Sequence, residues 1–202
     1  MPSVSVIISN FNGFKYLPKL VETLKAQKGV YVELIIVDRN SSDKSDLFFA
    51  QHTEIKVVKE PAETGLVSGY HAGSLHATKP LLFFCNEDMW FDSDCLSRLA
   101  NAIDLSKGIF ASDPWQWTYD EKTWIHGGTR FSKCFLNMTS LYPFRKYSFT
   151  SKLKNLEETP FGCAGAVMIY KEKYESLGGW DTSFFLDHED VDFFLRGWRE
   201  GL

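Results

Sequence analysis

No apolar run in these 202 residues approaches the roughly 18 needed to span a bilayer. The opening Met1-Pro2-Ser3-Val4 has neither the basic stretch nor the apolar core of a signal peptide. Positive charge is also scarce. Twenty-two Lys and Arg against 26 Asp and Glu leave a formal charge of −4, which gives no footprint for a polyanion, so nucleic acid is not an expected partner. The four cysteines, at 85, 95, 134 and 163, form no C-x-x-C pair and no metal-binding spacing. Cys85 and Cys163 sit in apolar runs and read as buried free thiols, which suits a reducing compartment. The expected location is therefore cytoplasmic, or peripheral to the inner face of a membrane. The Asn137-Met138-Thr139 sequon carries no weight without an export signal. Two nucleotide signatures are missing as well: Gly-x-Gly-x-x-Gly after the first strand, and Gly-x-x-x-x-Gly-Lys-Ser/Thr.

What is present reads as one α/β domain. The composition, 44% hydrophobic and 24% charged, is that of an ordinary globular protein. Val4–Ser9 is an apolar, β-branched first strand, closed by the turn Asn10-Phe11-Asn12-Gly13. Tyr16, Leu17, Leu20, Val21 and Leu24 then recur at helical spacing. Val32–Val37 is a second strand, ending in Asp38-Arg39-Asn40-Ser41-Ser42-Asp43, with Ser42 or Asp43 as N-cap of a helix starting near Lys44. Ile55–Val58 makes a third. Strands alternating with helices in this way predict βαβ units and a Rossmann-like, mostly parallel sheet flanked by helices. Gly65, Gly69 and Gly73 share one face of a helix within Thr64–Ala77. They serve either close packing on the sheet or, at Gly65, approach of a ligand to the helix start.

The stretch Leu81–Cys85 is the buried central strand, and it runs directly into Asn86-Glu87-Asp88. Ligands of open α/β sheets lie beyond the carboxyl ends of the strands. Clustered oxygen ligands there suit Mg²⁺ or Mn²⁺. Alternatively, these acids cap a helix over Asp92–Ile103. Gly108–Ser112 reads as a further strand. From Asp113 to about Pro160 aromatics crowd a region without clean periodicity, as a packing cluster or as a platform for sugar rings. Cys163–Tyr170 is a strand and Lys171–Leu177 a short helix, ended by Gly178-Gly179. In the last segment Asp187 is a candidate N-cap. Asp190 is either a helix-start acid or a positioned general base.

Four of these segments, in order, resemble family 2 glycosyltransferases: inverting, rhamnosyltransferase-like enzymes of the GT-A fold that use nucleotide-diphosphate sugars. They are Ser5–Asn12, Glu33–Asp43 ("EIIVVDNNSSD" in the family), Leu82–Asp88 in place of the DXD-like motif, and Gly178-Gly179-Trp180-Asp181 through Glu189-Asp190-Val191-Asp192-x-x-x-Arg196 ("GGFDExFF…EDVDxxxR"). The resemblance implies a GT-A domain over 1–202, with 1–112 the nucleotide-sugar-binding half and 113–202 the acceptor side. It places Asp38 on the nucleobase, Phe11 stacked against it, and Asn10, Asn12, Asn40, Gly65 and Asn86 lining the donor pocket. Asp88 becomes the ligand of a divalent Mg²⁺ or Mn²⁺ that bridges the diphosphate, and Asp190 the base that deprotonates a hydroxyl of a glycan or lipid-linked acceptor. A homo-oligomer is compatible with it.

Three departures stand out. Arg39 replaces a small polar residue and either pairs with the phosphates or points to solvent. Asn86-Glu87-Asp88 lacks the first Asp of a strict DXD. The sequence ends at Leu202, just after the helix of the base, where family members generally continue; this predicts a weakly held helix and slow transfer. A non-catalytic nucleotide-sugar-binding or scaffold domain is the competing reading. A nucleotidyltransferase would need a Gly-rich, basic loop after strand one, and Asn10–Lys15 has a single Gly.

Overall fold

A computed structural model describes residues 1–61, 64–126, 129–133, 139–143 and 159–202. The first half alternates as expected: β1 (Ser3–Asn10), α1 (Leu17–Lys25), β2 (Tyr31–Asp38), α2 (Ser45–Gln51), β3 (Lys56–Lys59), α3 (Gly65–Leu75), β4 (Leu81–Asn86) and α4 (Cys95–Ala102). Short strands follow: β5 (Ala111–Ser112), β6 (Gln116–Trp117), β7 (Trp124–His126), β8 (Thr129–Lys133) and β9 (Thr139–Pro143). The chain then forms β10 (Ala166–Tyr170), α5 (Lys171–Ser176) and α6 (Glu189–Arg199). The main sheet has the order β3-β2-β1-β4-β10-β5, while β6–β7 and β8–β9 are separate two-stranded ribbons. β3, β2, β1 and β4 are mutually parallel, and β10 runs antiparallel to both β4 and β5.

The period-2 alternation of the strands divides the core into two layers. Val4, Val6, Ile8, Phe83 and Cys85 face α1, α2 and α4, and meet Leu17, Leu20, Leu24, Phe48 and Leu96. Ile7, Ile35, Leu82, Phe84 and Val167 face the other way, onto Tyr70 of α3, Tyr174 of α5, Trp180 and Phe193 of α6. On this second side Phe84, Trp180 and Phe193 are tied ring to ring, at centroid distances of 5.2 and 4.8 Å. Such pairs add about 0.5–1.5 kcal/mol each beyond burial.

The glycine face of α3 is used for close packing. A methyl group at Gly73 would overlap Ile7 Cγ2, and one at Gly69 would overlap Ser9 Oγ. At Gly65 the backbone is left-handed (φ +75°) and a Cβ would meet the Phe185 carbonyl oxygen at 2.6 Å. The neighbour of Gly65 is thus the 184–187 segment, fixed by Leu66 N donating to Phe185 O at 3.1 Å.

Several boundaries differ from the pattern-based ones. The strand expected at Gly108–Ser112 shrinks to two residues, because Gly108 ends a 3-10 turn in left-handed conformation. The helix expected over Asp92–Ile103 begins only at Cys95. At the last helix Asp187 is not the N-cap. Asp187 and His188 both take left-handed backbone (φ 66° and 69°), and His188 occupies the cap position. The aromatics of 127–158 lie outside the residues whose side chains are described.

Candidate active site

Asn10 and Asp38 end β1 and β2 side by side. Asp38 is 1% exposed, a position a carboxylate tolerates only when donors surround it. Asn10 Nδ2 donates to Oδ1 at 2.8 Å and Ser41 Oγ at 2.5 Å, while Lys59 Nζ reaches Oδ2 at 2.9 Å. Burial, the largest single influence, pushes this carboxyl up. The bonds from Ser41, Lys59 and Asn10 together outweigh it and hold Asp38 below its ordinary range. Asn12 and Asn40 are left-handed (φ 55° each), which short polar side chains tolerate. Asn12 N donates to Ser41 Oγ at 2.9 Å, and its Oδ1 accepts from Ser42 N at 2.8 Å. Asp43 Oδ2 accepts from Phe14 N at 2.8 Å. The turn after β1 and the loop after β2 are thus stitched together. Asn10 and Asp38 build the floor of this corner, with Asn12 and Asn40 exposed on its rim.

Phe11 stands on that floor, 43% exposed. The guanidinium carbon of Arg39 lies 5.3 Å from its ring centroid. Of the two directions open to Arg39 in the sequence, solvent is not the one taken. The side chain turns inward and is half-buried.

On the other side of β1, Asn86 pairs in register with Ser9, and its Oδ1 accepts from Tyr70 Oη at 2.7 Å. Glu87 and Asp88 follow at the carboxyl end of β4. They do not cap α4, whose N-cap position is Asp94. Instead the Asp88 carbonyl accepts from the Tyr119 hydroxyl, and the Tyr119 ring stacks on Trp90 at 4.2 Å and 20°. Burial pushes the Glu87 carboxyl up and Asp88 adds to the shift, with Arg39 opposing it. Among the described residues no group of three His, Cys, Asp or Glu could cage a metal. The pair Glu87–Asp88 nonetheless fits Mg²⁺ or Mn²⁺, which is commonly held by one or two carboxylates together with substrate phosphates. Two adjacent carboxylates, one forced toward its neutral form, are a donor set that a cation would relieve.

Asp190 occupies the first turn of α6. Its Oδ2 accepts from Ala164 N at 3.2 Å and its Oδ1 from Val191 N at 2.8 Å. Burial nevertheless raises its pKa, against those bonds and the attraction of His126. The short segment 163–165 connects this acid to the β4 tip, because Gly165 O accepts from Asn86 N at 3.0 Å. One tripeptide therefore bonds Asn86 on one side and Asp190 on the other. Glu189 is 4% exposed, and its Oε2 lacks a hydrogen-bond partner.

Three residues around Asp190 and its neighbour Cys163 were not singled out in the sequence. His126, paired in register with Gln116, carries a pKa lowered by burial and raised by Asp190. Asp113, just past β5, has its Oδ2 sealed and unpartnered, and burial lifts its carboxyl to about 7. Gln116 lies against the Cys163 thiol. The signal for Asp113 was the rule applied to Asp88, an acid at the carboxyl end of a strand. The signal for His126 was nonlocal pairing, invisible in sequence.

The profile described as Glycosyl transferase family 2 matches residues 5–178. The chain belongs to this family. Residues of this family 2 chain are 33% identical over 108 positions to an uncharacterized glycosyltransferase, alr2836, of Nostoc sp., covering 51% of this chain and 33% of that protein. Among solved structures it resembles TarS of S. aureus in complex with UDP, at TM-score 0.64 and 16% identity, over 98% of this chain and 55% of that one. It also resembles the mannosyltransferase PcManGT of Pyrobaculum calidifontis in complex with GDP-Man and Mn²⁺, at TM-score 0.62 and 17% identity, over 95% and 50%. These likenesses show the GT-A fold. The family 2 chain spans a third of the Nostoc protein and about half of each solved chain. No described helix is long and apolar enough to cross a membrane.

Proposed function

We propose that this chain is the catalytic domain of an inverting glycosyltransferase, moving a sugar from a nucleotide-diphosphate sugar to a hydroxyl of a glycan or lipid-linked acceptor. The observation that supports it best is the 163–165 segment, hydrogen-bonded to Asn86 at the β4 tip and to Asp190 at the start of α6. An acid suited to proton removal is thereby linked to the place where a donor diphosphate would lie. In this reading Phe11, Asn40 and the floor under them receive the nucleoside, and Gly65 and Asn86 border the donor. Asp38 would reach the base once Ser41 or Lys59 gives way. Asp88, with Glu87 beside it, would hold a divalent cation, which supplies charge neutralisation for the departing diphosphate. Asp190 takes the proton of the attacking hydroxyl. Its raised pKa brings it closer to working pH, where a general base is most effective. Attack from the face opposite the departing diphosphate inverts the anomeric centre.

The test is Asp190→Asn, assayed for transfer and, by calorimetry, for nucleotide binding with Mn²⁺. Transfer is expected to fall by roughly 10²–10⁴-fold, with binding nearly unchanged. Full transfer in Asp190→Asn would falsify the base assignment and turn attention to Glu189 or Asp192. Nucleotide binding without any transfer by the wild-type chain supports the non-catalytic nucleotide-sugar-binding domain instead.

A further inference from the structure

Arg39 is a half-buried cation without an ionic partner. Among the described residues no carboxylate lies within ion-pair distance of it, and its Nε is sealed from solvent without a hydrogen-bond acceptor. Leaving a charged donor in that state is costly, and proteins ordinarily pair such groups. Lys59 shows the contrast: one strand away, it is bonded to both Asp38 and Asp46.

The course of the side chain says what could fill the gap. Its backbone N–H is fixed to Asn10 O at 2.9 Å, at the junction of β1 and β2. From there the stem crosses α3 at Gly69, where an added Cβ would sit 3.3 Å from Arg39 Cδ and would overlap Ser9 Oγ. The guanidinium flanks the Phe11 ring, and the charge nearest in effect is Glu87, on the far side of β1. Arg39 thus starts at the corner assigned to the nucleoside and extends toward the β4 tip assigned to the diphosphate. An exposed aromatic and a fork of N–H donors facing one crevice suit a planar base continued by phosphate oxygens, which guanidinium binds in bidentate fashion.

We infer that Arg39 is a phosphate-binding residue, donating its guanidinium N–H groups to the diphosphate of the nucleotide donor. This rests on the donor site proposed above. It adds that part of the diphosphate's charge is met by the protein itself, so that some affinity survives without a divalent cation.

The test is calorimetry of inorganic pyrophosphate, UDP, GDP, uridine and guanosine against wild type, Arg39→Met and Arg39→Lys, in EDTA and in Mn²⁺. Met keeps the apolar stem over Gly69 and Phe11 and drops the charge, so folding is expected to survive, as a thermal melt would verify. In EDTA the wild type should bind pyrophosphate and at least one nucleoside diphosphate. Arg39→Met should weaken both by about tenfold or more, the size of one charge-assisted hydrogen bond, and leave the nucleosides unchanged. Arg39→Lys should recover little, lacking the fork. Equal pyrophosphate and diphosphate binding by wild type and Arg39→Met overturns the inference and leaves the donor reading standing. Pyrophosphate binding through Arg39 with no nucleotide binding upholds Arg39 and overturns the donor reading. Failure of the wild type to bind any of these probes in either buffer overturns both.

Discussion

Asp113 shows what a single residue does when its carboxyl is buried without a full set of donors. Burial raises its pKa from 3.8 to about 7, and the backbone bond from Cys163 only partly offsets the shift. The folded state therefore holds a proton between about pH 4 and pH 7 that the unfolded state has released. Stability from this group is fully present below the unfolded value and is lost as pH rises through 7. Asp113→Asn keeps the shape and removes the titration. Its melting temperature at pH 8 is expected to exceed that of wild type, with little difference at pH 4. A parallel loss of stability at both pH values would assign Asp113 an ionised structural role instead. Asp38 has the opposite pKa shift, because the bonds from Ser41, Lys59 and Asn10 outweigh its burial. Two aspartates that follow or end strands of one sheet are thus shifted in opposite directions, Asp38 by its donors and Asp113 by burial.

At the scale of elements, α6 decides whether the candidate base is held. The expectation of a weakly supported helix is not met. Phe193 is fully buried against Trp180 and Phe110. Arg196 donates to Asp192 Oδ2 through Nε at 2.9 Å, to Gly179 O at 2.8 Å, and to Leu177 O. The fork thereby clamps α6 to the Gly178-Gly179 turn that ends α5. Arg196→Ala should destabilise the protein by about 2 kcal/mol, the modest end of the range for charge-assisted bonds at a partly exposed site. Arg196→Lys should restore little, since an ammonium cannot span three acceptors in one plane. Urea denaturation of the three proteins checks this, and full rescue by Lys would reduce the clamp to a simple charge effect. At the start of α6, Asp187 and His188 hold left-handed backbone at a cost of order 1–3 kcal/mol each. That kink sets the direction in which Glu189 and Asp190 enter the crevice.

Across the whole molecule, the crevice exists because the sheet changes direction of winding. β2 and β3 are added on one side of β1 and β4 on the other, so the carboxyl ends of β1 and β4 part at a switch point. Asp88 lies at that opening and is partly exposed, unlike the apolar run before it. Asp88→Ala should therefore leave the melting temperature in metal-free buffer within about 0.5 kcal/mol equivalent of wild type. The same change should abolish the Mn²⁺-dependent increment of nucleotide affinity. Titration of a nucleoside diphosphate with and without Mn²⁺ measures it, and an undiminished increment would move the cation to Glu87 or elsewhere.

The order of strands and helices, the parallel sheet and the acidic tip of β4 were legible in the residues alone. Each depends on local periodicity and on turn residues next to it in sequence, as at Val4–Gly13 and Leu81–Asp88. The fate of particular polar side chains was not legible. That Asp38 is sealed by Lys59, that Arg39 turns inward, and that Asp190 is bonded to Ala164 and faces His126 depend on partners 21 to 64 residues away, or on the alternative of solvent. A carboxylate or guanidinium takes its pKa and its orientation from whatever the fold brings within a few ångströms. Sequence patterns record which face a residue occupies, whereas tertiary packing alone selects its neighbours there.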